Sequence, residues 1–244
     1  MSKFLGLDLG GTNIKVAVIE KTSNAWKVIN EDDVPTQADR GPAHVVSRLA
    51  EIAARKQKEF SDLSGVGVAV PGLFNADGTI GLFPNLPGDW PGFQALEPIR
   101  SATNLPTAII NDARAFTLGE AIMGAAVGKK VVACLVIGTG VGGGIVIDGK
   151  IQLGANGAAG EIAHQIVKFD GPLCGCGARG CAEPLTNSAA IATLAGTKTA
   201  EEAYKNAVAG DEKALAAFKE VANWIAITLT NIMVVLVPDT IIIG

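Results

Sequence analysis

The sequence is short of aromatic residues, with one tyrosine, three tryptophans and eight phenylalanines among 244 residues. It is also short of clustered positive charge: its 20 lysines and arginines are scattered and the formal net charge is −4. Without a basic run interleaved with aromatics, no surface is expected to track a phosphate backbone, which excludes nucleic acid as a partner. A secretory h-region is lacking too. MSKFLGLDLGG carries one lysine and four apolar residues before Asp8, and no small-residue cleavage site follows. A cytoplasmic protein is expected. The strongest apolar run, 224–237, is interrupted by Thr228, Thr230 and Asn231. It falls short of the ~20 residues that span a bilayer and reads as the buried end of a helix, so no membrane partner is expected. No low-complexity or linker segment is visible, which predicts closely packed parts.

What the chain does have is apolar bulk. At 48% apolar residues it can bury a large core, as one large domain or two modest ones. Residues 4–9 and 14–19 are apolar strands flanking Gly10 and Gly11, a glycine-tipped hairpin. Residues 131–137 and 144–147 repeat that design around Gly138, Gly140, Gly142 and Gly143, with a tight turn at Asp148 and Gly149. Between the hairpins the pattern predicts a helix over 44–60, a strand over 66–70, an irregular Pro-, Gly- and Asn-rich stretch over 71–92, a strand over 108–110, and a helix from Ala113. Leu215, Phe218, Ala222, Ile225, Leu229 and Ile232 recur at helical spacing, with Gly210 and Asp211 as start signals and Pro238 as the stop. Apolar strands interleaved with helices predict an α/β protein, and the duplicated hairpin predicts two related halves with a cleft between them. The boundary is placed near residue 110, giving parts 1–110 and 111–244.

Cysteine and histidine are scarce, four and two, yet three of the cysteines crowd together. Cys174, Cys176 and Cys181 lie within eight residues, and His164 is ten residues upstream of the first. Three thiolates and an imidazole form one tetrahedral zinc set. The loop CGCGARGC has three glycines in eight residues and little besides a metal to hold it. The competing readings are free thiols or a disulfide, but a disulfide strands one of the three, and Cys174 and Cys176 are too close to bridge comfortably. Cys134 lies inside an apolar strand and reads as core.

Glycine tips expose backbone N–H groups without Cβ obstruction, and two such tips facing each other could cradle a polyphosphate; a plain turn is the alternative for each. GTGVGGG lacks the Lys and Ser of a Walker loop and precedes a strand rather than a helix, so it is neither fingerprint. Asp8 ends an apolar strand, where its charge suits either Mg²⁺ beside phosphates or a turn cap. Asn111 and Asp112 follow a strand and fit either a helix N-cap or a ligand site, with Asp112 a candidate general base. Glu161 and His164, three residues apart in GAAGEIAH, share one face of a helical turn. Glu183, two residues past Cys181, either points into the same site or is a surface glutamate.

Five motifs in order resemble a known family. DLGGTNIK at 8–15, NDARAFTLGE at 111–120, IGTGVGGGIVIDG at 137–149, GAAGEIAH at 157–164 and CGCGARGCAE at 174–183 resemble the ROK sugar kinases, glucokinase branch, within the actin-like ATPase (ribonuclease H-like) superfamily. The resemblance implies that the hairpins, through Gly10, Gly11, Thr12, Asn13, Gly138, Thr139, Gly140, Gly142 and Gly143, bind ATP phosphates, with Asp8 positioning Mg²⁺. It implies that Asn111 and Asp112 bind sugar hydroxyls, Asp112 taking the proton of the attacked one. Glu161, His164 and Glu183 would hold the anomeric side, His164 also ligating a structural Zn²⁺ with Cys174, Cys176 and Cys181. It implies glucose as the phosphate acceptor, with another hexose, an N-acetylhexosamine, or a sugar-binding fragment or ROK regulator without catalysis as alternatives, and a homodimer or larger homo-oligomer. The sequence departs from the family at Ala163, usually Gly, and at Asn187 and Ser188, usually Ser-Gly. PDTIIIG at 238–244 resembles the strand that in the family leads into a further glycine turn, adenine-pocket residues and a closing helix, so the chain reads as lacking that C-terminal segment.

Overall fold

A computed structural model describes the chain except for Asn24, Ala76, Pro84, Asn85 and Asn156 and the side chain of Leu82. Ala76, Pro84 and Asn85 belong to the stretch expected to be irregular and lie outside the described residues. The chain divides into two compact units, Met1–Ala115 and Phe116–Gly244.

The first unit begins with β1 (Ser2–Leu9), β2 (Asn13–Lys21) and β3 (Trp26–Pro35), an antiparallel meander. After α1 (Pro42–Glu59) come β4 (Leu63–Val70), the short hairpin β5 (Leu73–Phe74) and β6 (Ile80–Leu82), α2 (Leu96–Thr103) and β7 (Thr107–Asn111). The sheet order is β3-β2-β1-β4-β7, with β4 parallel to both β1 and β7. Alternation decides the faces. Leu5, Leu7 and Leu9 on β1 and Ile14, Val16 and Val18 on β2 are buried and belong to one core cluster with Val45, Val46 and Leu49 of α1 and Ile99 of α2. The strand β3 was not anticipated: its EDD run breaks the apolar alternation that marks a strand. It is an edge strand, where charges are tolerated on the open side. Its Asp32 lies 2.7 Å from the buried ammonium of Lys56, which also meets Glu59 and Asn30.

The helix α3 (Asp112–Met123) leads into the second unit, which contains β8 (Val131–Ile137), β9 (Val141–Ile147), β10 (Lys150–Ile151), α4 (Glu183–Thr186), α5 (Ser188–Ala195), α6 (Ala200–Val208), α7 (Glu212–Leu236) and β11 (Thr240–Ile243). Its sheet order is β10-β9-β8-β11, with β9 antiparallel to both neighbours and β11 parallel to β8. This repeats β3-β2-β1-β4 strand for strand, so the α/β fold is duplicated, as the paired hairpins implied. Asp148 and Gly149 take φ of 50° and 72°, the left-handed pair a two-residue hairpin turn requires. The glycines at 142–144 belong to β9 itself rather than to the loop before it.

Two expectations about α7 need correction. The helix starts where expected, with the Asp211 carboxylate accepting from Ala214 N at 2.8 Å, and ends before Pro238. Its buried positions, however, are Ala214, Ala217, Val221, Thr228 and Ile232, one residue away from most of the predicted face, and Leu215 is 50% exposed. Alanines give α5 and α6 a close approach that leucine would block. Nor is the end of the helix buried: Val234 and Val235 are 76% and 80% exposed. With residues before Trp224 included, this 25-residue helix is long and apolar enough by length and composition to cross a membrane, which counting the uninterrupted run alone did not show.

Glycines in this fold divide by space. A Cβ at Gly143 would lie 2.8 Å from Cys134 O and 3.1 Å from Ile162 Cβ, whereas one at Gly119 in α3 meets nothing within 4 Å. Gly143→Ala should therefore lower stability by about 1–3 kcal/mol. Gly119→Ala should raise it by up to ~1 kcal/mol through helix propensity. Urea midpoints of the two variants test this; equal midpoints would contradict the packing account of β9.

Candidate functional site

In the first unit, chain direction gathers the polar residues at one edge. β1, β4 and β7 run parallel, with Asp8 registered beside Ala69 and Val70 beside Asn111. Asp8 and Asn111 thus stand at the carboxyl ends of strands in one parallel set, where α/β sheets collect ligands. The Asn111 carbonyl oxygen accepts from Arg114 N at 3.2 Å, the helix-cap role, while its amide donates to Gly72 O at 3.3 Å. Asp112 opens α3 with an exposed side chain, and its Oδ1 accepts from Ala113 N at 2.7 Å. Asp8 is half-buried. Burial, and then the negative charge of Asp112, push its carboxyl above the ordinary 3.8, with Lys15 opposing. Two carboxylates that repel each other this way suit a hard, oxygen-seeking cation such as Mg²⁺.

The turn that follows Asp8 is tied from an unexpected side. Gly10 N donates to Asn13 O at 3.0 Å, and a Cβ on Gly10 would lie 2.7 Å from that same oxygen, so the position requires glycine. The Thr36 hydroxyl donates to Gly10 O at 2.7 Å, and Thr36 N to Thr12 O at 2.8 Å. Thr36 is fully buried. No sequence pattern marks it, since it acts from beyond the end of β3.

In the second unit the metal-like set converges. One donor atom each from His164, Cys174, Cys176 and Cys181 lies within 4.8 Å of every other. Cys176 Sγ and Cys181 Sγ are 3.6 Å apart and Cys174 Sγ is 3.5 Å from His164 Nδ1. A tetrahedron with zinc–sulfur bonds of about 2.3 Å has edges of about 3.8 Å, so the donor set fits zinc. All four cysteines of the chain are free thiols, which removes the disulfide reading. Cys134 is wholly buried in β8, as expected. Burial pushes the Cys174 thiol up to about 12, whereas a hydrogen bond from Ala178 N holds the exposed Cys176 below its ordinary value.

Around that set stand the two glutamates. Glu161 precedes a short 3₁₀ turn, Ile162–His164, and its Oε2 lies 3.9 Å from His164 Nε2, the ring nitrogen opposite the thiols. Glu183 opens α4. Its Oε2 lies 3.8 Å from His164 Nδ1 and 3.4 Å from Cys174 Sγ, and its Oε1 accepts from Val141 N at 3.3 Å. Glu183 therefore touches both the thiol cluster and the glycine turn before β9. In that turn Gly138 N donates to Gly140 O at 2.8 Å, Gly138 and Thr139 are exposed and Gly140 is half-buried. Ser188 donates twice to Gly138 O, from its backbone at 3.0 Å and from its hydroxyl at 2.7 Å. Asn187 caps α5 by accepting from Ala190 N at 2.9 Å.

A duplicated five- and four-stranded sheet pair with glycine turns after the first strand of each is the actin-like ATPase fold. Residues 4–244 match the ROK family, and the chain belongs to it. The chain is 31% identical to a glucokinase of Halalkalibacterium halodurans over 99% of its own length and 79% of that protein's. It is 33% identical to an N-acetylmannosamine kinase of Vibrio cholerae over 98% of its length and 82% of that protein's. Among solved structures, a ROK hexokinase from Thermus thermophilus superimposes with TM-score 0.87 at 33% identity, covering 99% of this chain and 81% of the other. A ROK glucokinase from Streptomyces griseus in complex with glucose and AMPPNP superimposes with TM-score 0.81 at 27% identity, covering 100% and 83%. What these relatives support is a sugar kinase whose sugar is left open.

Two outcomes test the site. Cys176→Ser should drop bound zinc from about one per chain to near zero while Cys134→Ser keeps it; metal analysis of the purified proteins decides, and full retention of zinc by Cys176→Ser would remove the metal assignment. Because Asp8 holds its proton more tightly folded than unfolded, the stability linked to that proton is present below pH 3.8 and is lost as pH rises above it. Asp8→Asn, permanently neutral, should therefore be more stable than the parent at pH 7, the two converging in acid. Denaturation curves across pH without nucleotide measure this.

Proposed function

We propose that the chain transfers the γ-phosphoryl group of ATP to a hexose, glucose at its 6-hydroxyl being the best-supported acceptor. The observation that carries the reading is the pair Asp8 and Asp112, two interacting carboxylates at the carboxyl edge of the parallel strands, one half-buried after β1 and one exposed at the start of α3. Phosphoryl transfer through a loose transition state asks a protein mainly for positioning and charge neutralisation. Asp8 is assigned the Mg²⁺ ion that would offset phosphate charge. The two glycine turns, residues 10–13 and 138–143 with Gly138, Thr139, Gly140, Gly142 and Gly143, are assigned the phosphates through the N–H groups their own bonds leave over, since Gly10 N and Gly138 N are spent on Asn13 O and Gly140 O. Among these, Gly143 has a packing reason of its own and contributes by letting β9 lie close to Ile162.

Asp112 is assigned the proton. The sugar oxygen bonds to phosphorus, the bridging P–O bond to the departing ADP breaks, and the hydroxyl proton passes to the Asp112 carboxylate. A sugar hydroxyl is a far weaker acid than a carboxylic acid, so that transfer comes late. Exposure leaves Asp112 accessible, and the hydrogen bond from Ala113 N orients its carboxylate. Asn111, Glu161, His164 and Glu183 are assigned the remaining sugar hydroxyls. His164 can serve two partners because its Nδ1 faces the thiols and its Nε2 faces Glu161. The zinc those thiols and Nδ1 would hold has a structural task, keeping His164 and Glu183 in place. The parts of the chain are read as 1–110 and 111–244, and the protein as a cytoplasmic homo-oligomer.

A second reading is favoured by the Vibrio cholerae relative: an N-acetylated hexosamine in place of glucose. A coupled assay across glucose, mannose, N-acetylmannosamine and N-acetylgalactosamine separates the two, and a higher kcat/KM for an N-acetylated sugar would overturn glucose. With the preferred sugar, Asp112→Asn should lower turnover by roughly 10²–10⁴ while sugar affinity by calorimetry stays within a few-fold. Turnover near the parent level would remove Asp112 as the base.

A further inference from the structure

We propose that Thr36 and Ser188 are positioning residues, one for each glycine turn, whose hydroxyls fix the turns in the shape that receives nucleotide phosphates; this rests on the kinase reading above. Each unit carries the device separately. In the first, the Thr36 hydroxyl donates to Gly10 O at 2.7 Å and Thr36 N to Thr12 O. In the second, the Ser188 hydroxyl donates to Gly138 O, also at 2.7 Å, and Ser188 N adds a bond to the same oxygen.

The physical need is specific. A turn that offers its N–H groups to a ligand cannot spend them on its own ladder, and its glycines have no side chains to pack. Beyond the one N–H that closes each turn, Gly10 N on Asn13 O and Gly138 N on Gly140 O, its carbonyls are what remains to hold it. In both units the carbonyl of the turn's first glycine takes a short hydroxyl hydrogen bond from a residue far along the chain, 26 positions away for Thr36 and 50 for Ser188. Neither residue stands near the glycine motif in sequence, and neither carbonyl lies in a strand.

Ser188 also sits at the end of a strap. Residues 183–188 start at Glu183, whose carboxylate reaches the thiol cluster on one side and Val141 N on the other, and finish at Ser188 on Gly138 O. The strap thus holds the second turn at both of its ends, and a Cβ at Gly140 would lie 2.9 Å from Glu183 Oε1, so a side chain there would displace that carboxylate. Where the sequence resemblance leads one to expect glycine at 188, this chain supplies a hydroxyl.

The experiment compares Ser188→Ala and Thr36→Val with the parent, using amide hydrogen exchange in the free protein and titrations with a non-hydrolysable ATP analogue plus Mg²⁺ and, separately, with glucose. Faster exchange is expected at amides 138–142 in the first variant and 10–13 in the second. The analogue Kd and the KM for ATP should rise about three- to tenfold, as loss of one hydrogen bond predicts, with glucose Kd and KM within about twofold. Ser188→Thr and Thr36→Ser should restore the parent values. Unchanged exchange and analogue affinity, or equal losses toward glucose and nucleotide, would overturn the positioning role. A parent protein that binds glucose but no nucleotide would instead overturn the kinase reading, and the phosphate role of both hydroxyls with it.

Discussion

The second unit depends on the convergence of three thiols and one imidazole on a single point. The segment 166–181 has almost no regular structure to shape it, only two isolated bridges, Ile166 with Cys181 and Leu173 with Arg179. Its glycines let backbone lie against backbone, and a Cβ on Gly171 would come within 2.6 Å of Gly180 Cα. A loop packed this way has little apolar surface to bury, and Phe169 at its tip is almost wholly exposed. Ordering it costs conformational entropy that burial does not repay, and bonds to a shared cation are what this donor set could add. Everything downstream inherits that order. Glu183 follows Cys181 by two residues, and α4 carries the chain from there to Ser188.

Much of this could be seen in the residues before any coordinates. The hairpin strands, the left-handed turn at Asp148 and Gly149, the Asp211 cap and the Cys/His set each rest on local chemistry, which a sequence displays directly. Asn111 illustrates the limit. Cap and ligand-site readings both fit its place in the sequence, the cap being the commoner, and the structure gives it a cap bond from Arg114 N without removing it from the edge where Asp112 stands. Local pattern also misplaced the face of α7. Periodicity selects the largest apolar residues, but close helix packing selects small ones, so Ala214 and Ala217 are buried and Leu215 is left outside. The strand β3 escaped for the opposite reason. An edge strand need not be apolar on both sides, and its Asp32 is spent on the buried Lys56.

Thr36 and Ser188 escaped for a more general reason. A threonine after a strand and a serine at a helix start have ready local explanations, and their partners lie 26 and 50 residues away. Contacts of that separation are set by topology, and topology here is duplicated. Each sheet sends its first strand into a glycine turn and returns antiparallel, and each turn meets a hydroxyl from a later segment. The segments differ, an extended stretch after β3 in one unit and the start of α5 in the other, so the shared feature is the bond rather than the element that supplies it.

The glycines then sort by mechanism instead of by motif. Gly10 has its Cβ position filled by the turn's own Asn13 carbonyl, and Gly140 by the Glu183 carboxylate. Gly143 is held by the carbonyls of Cys134 and Gly160, and Gly144 by the side chain of Thr117, so both answer to packing around β9. A Cβ on Gly138 would meet nothing nearer than Gly140 O at 3.9 Å. A small side chain would fit there, so sterics alone do not explain its glycine. What Gly138 does supply is the carbonyl that takes both Ser188 bonds while its own N–H closes the turn on Gly140 O. With both of its backbone polar groups committed, Gly138 is fixed on each side of its peptide units, and the turn takes its shape from that residue.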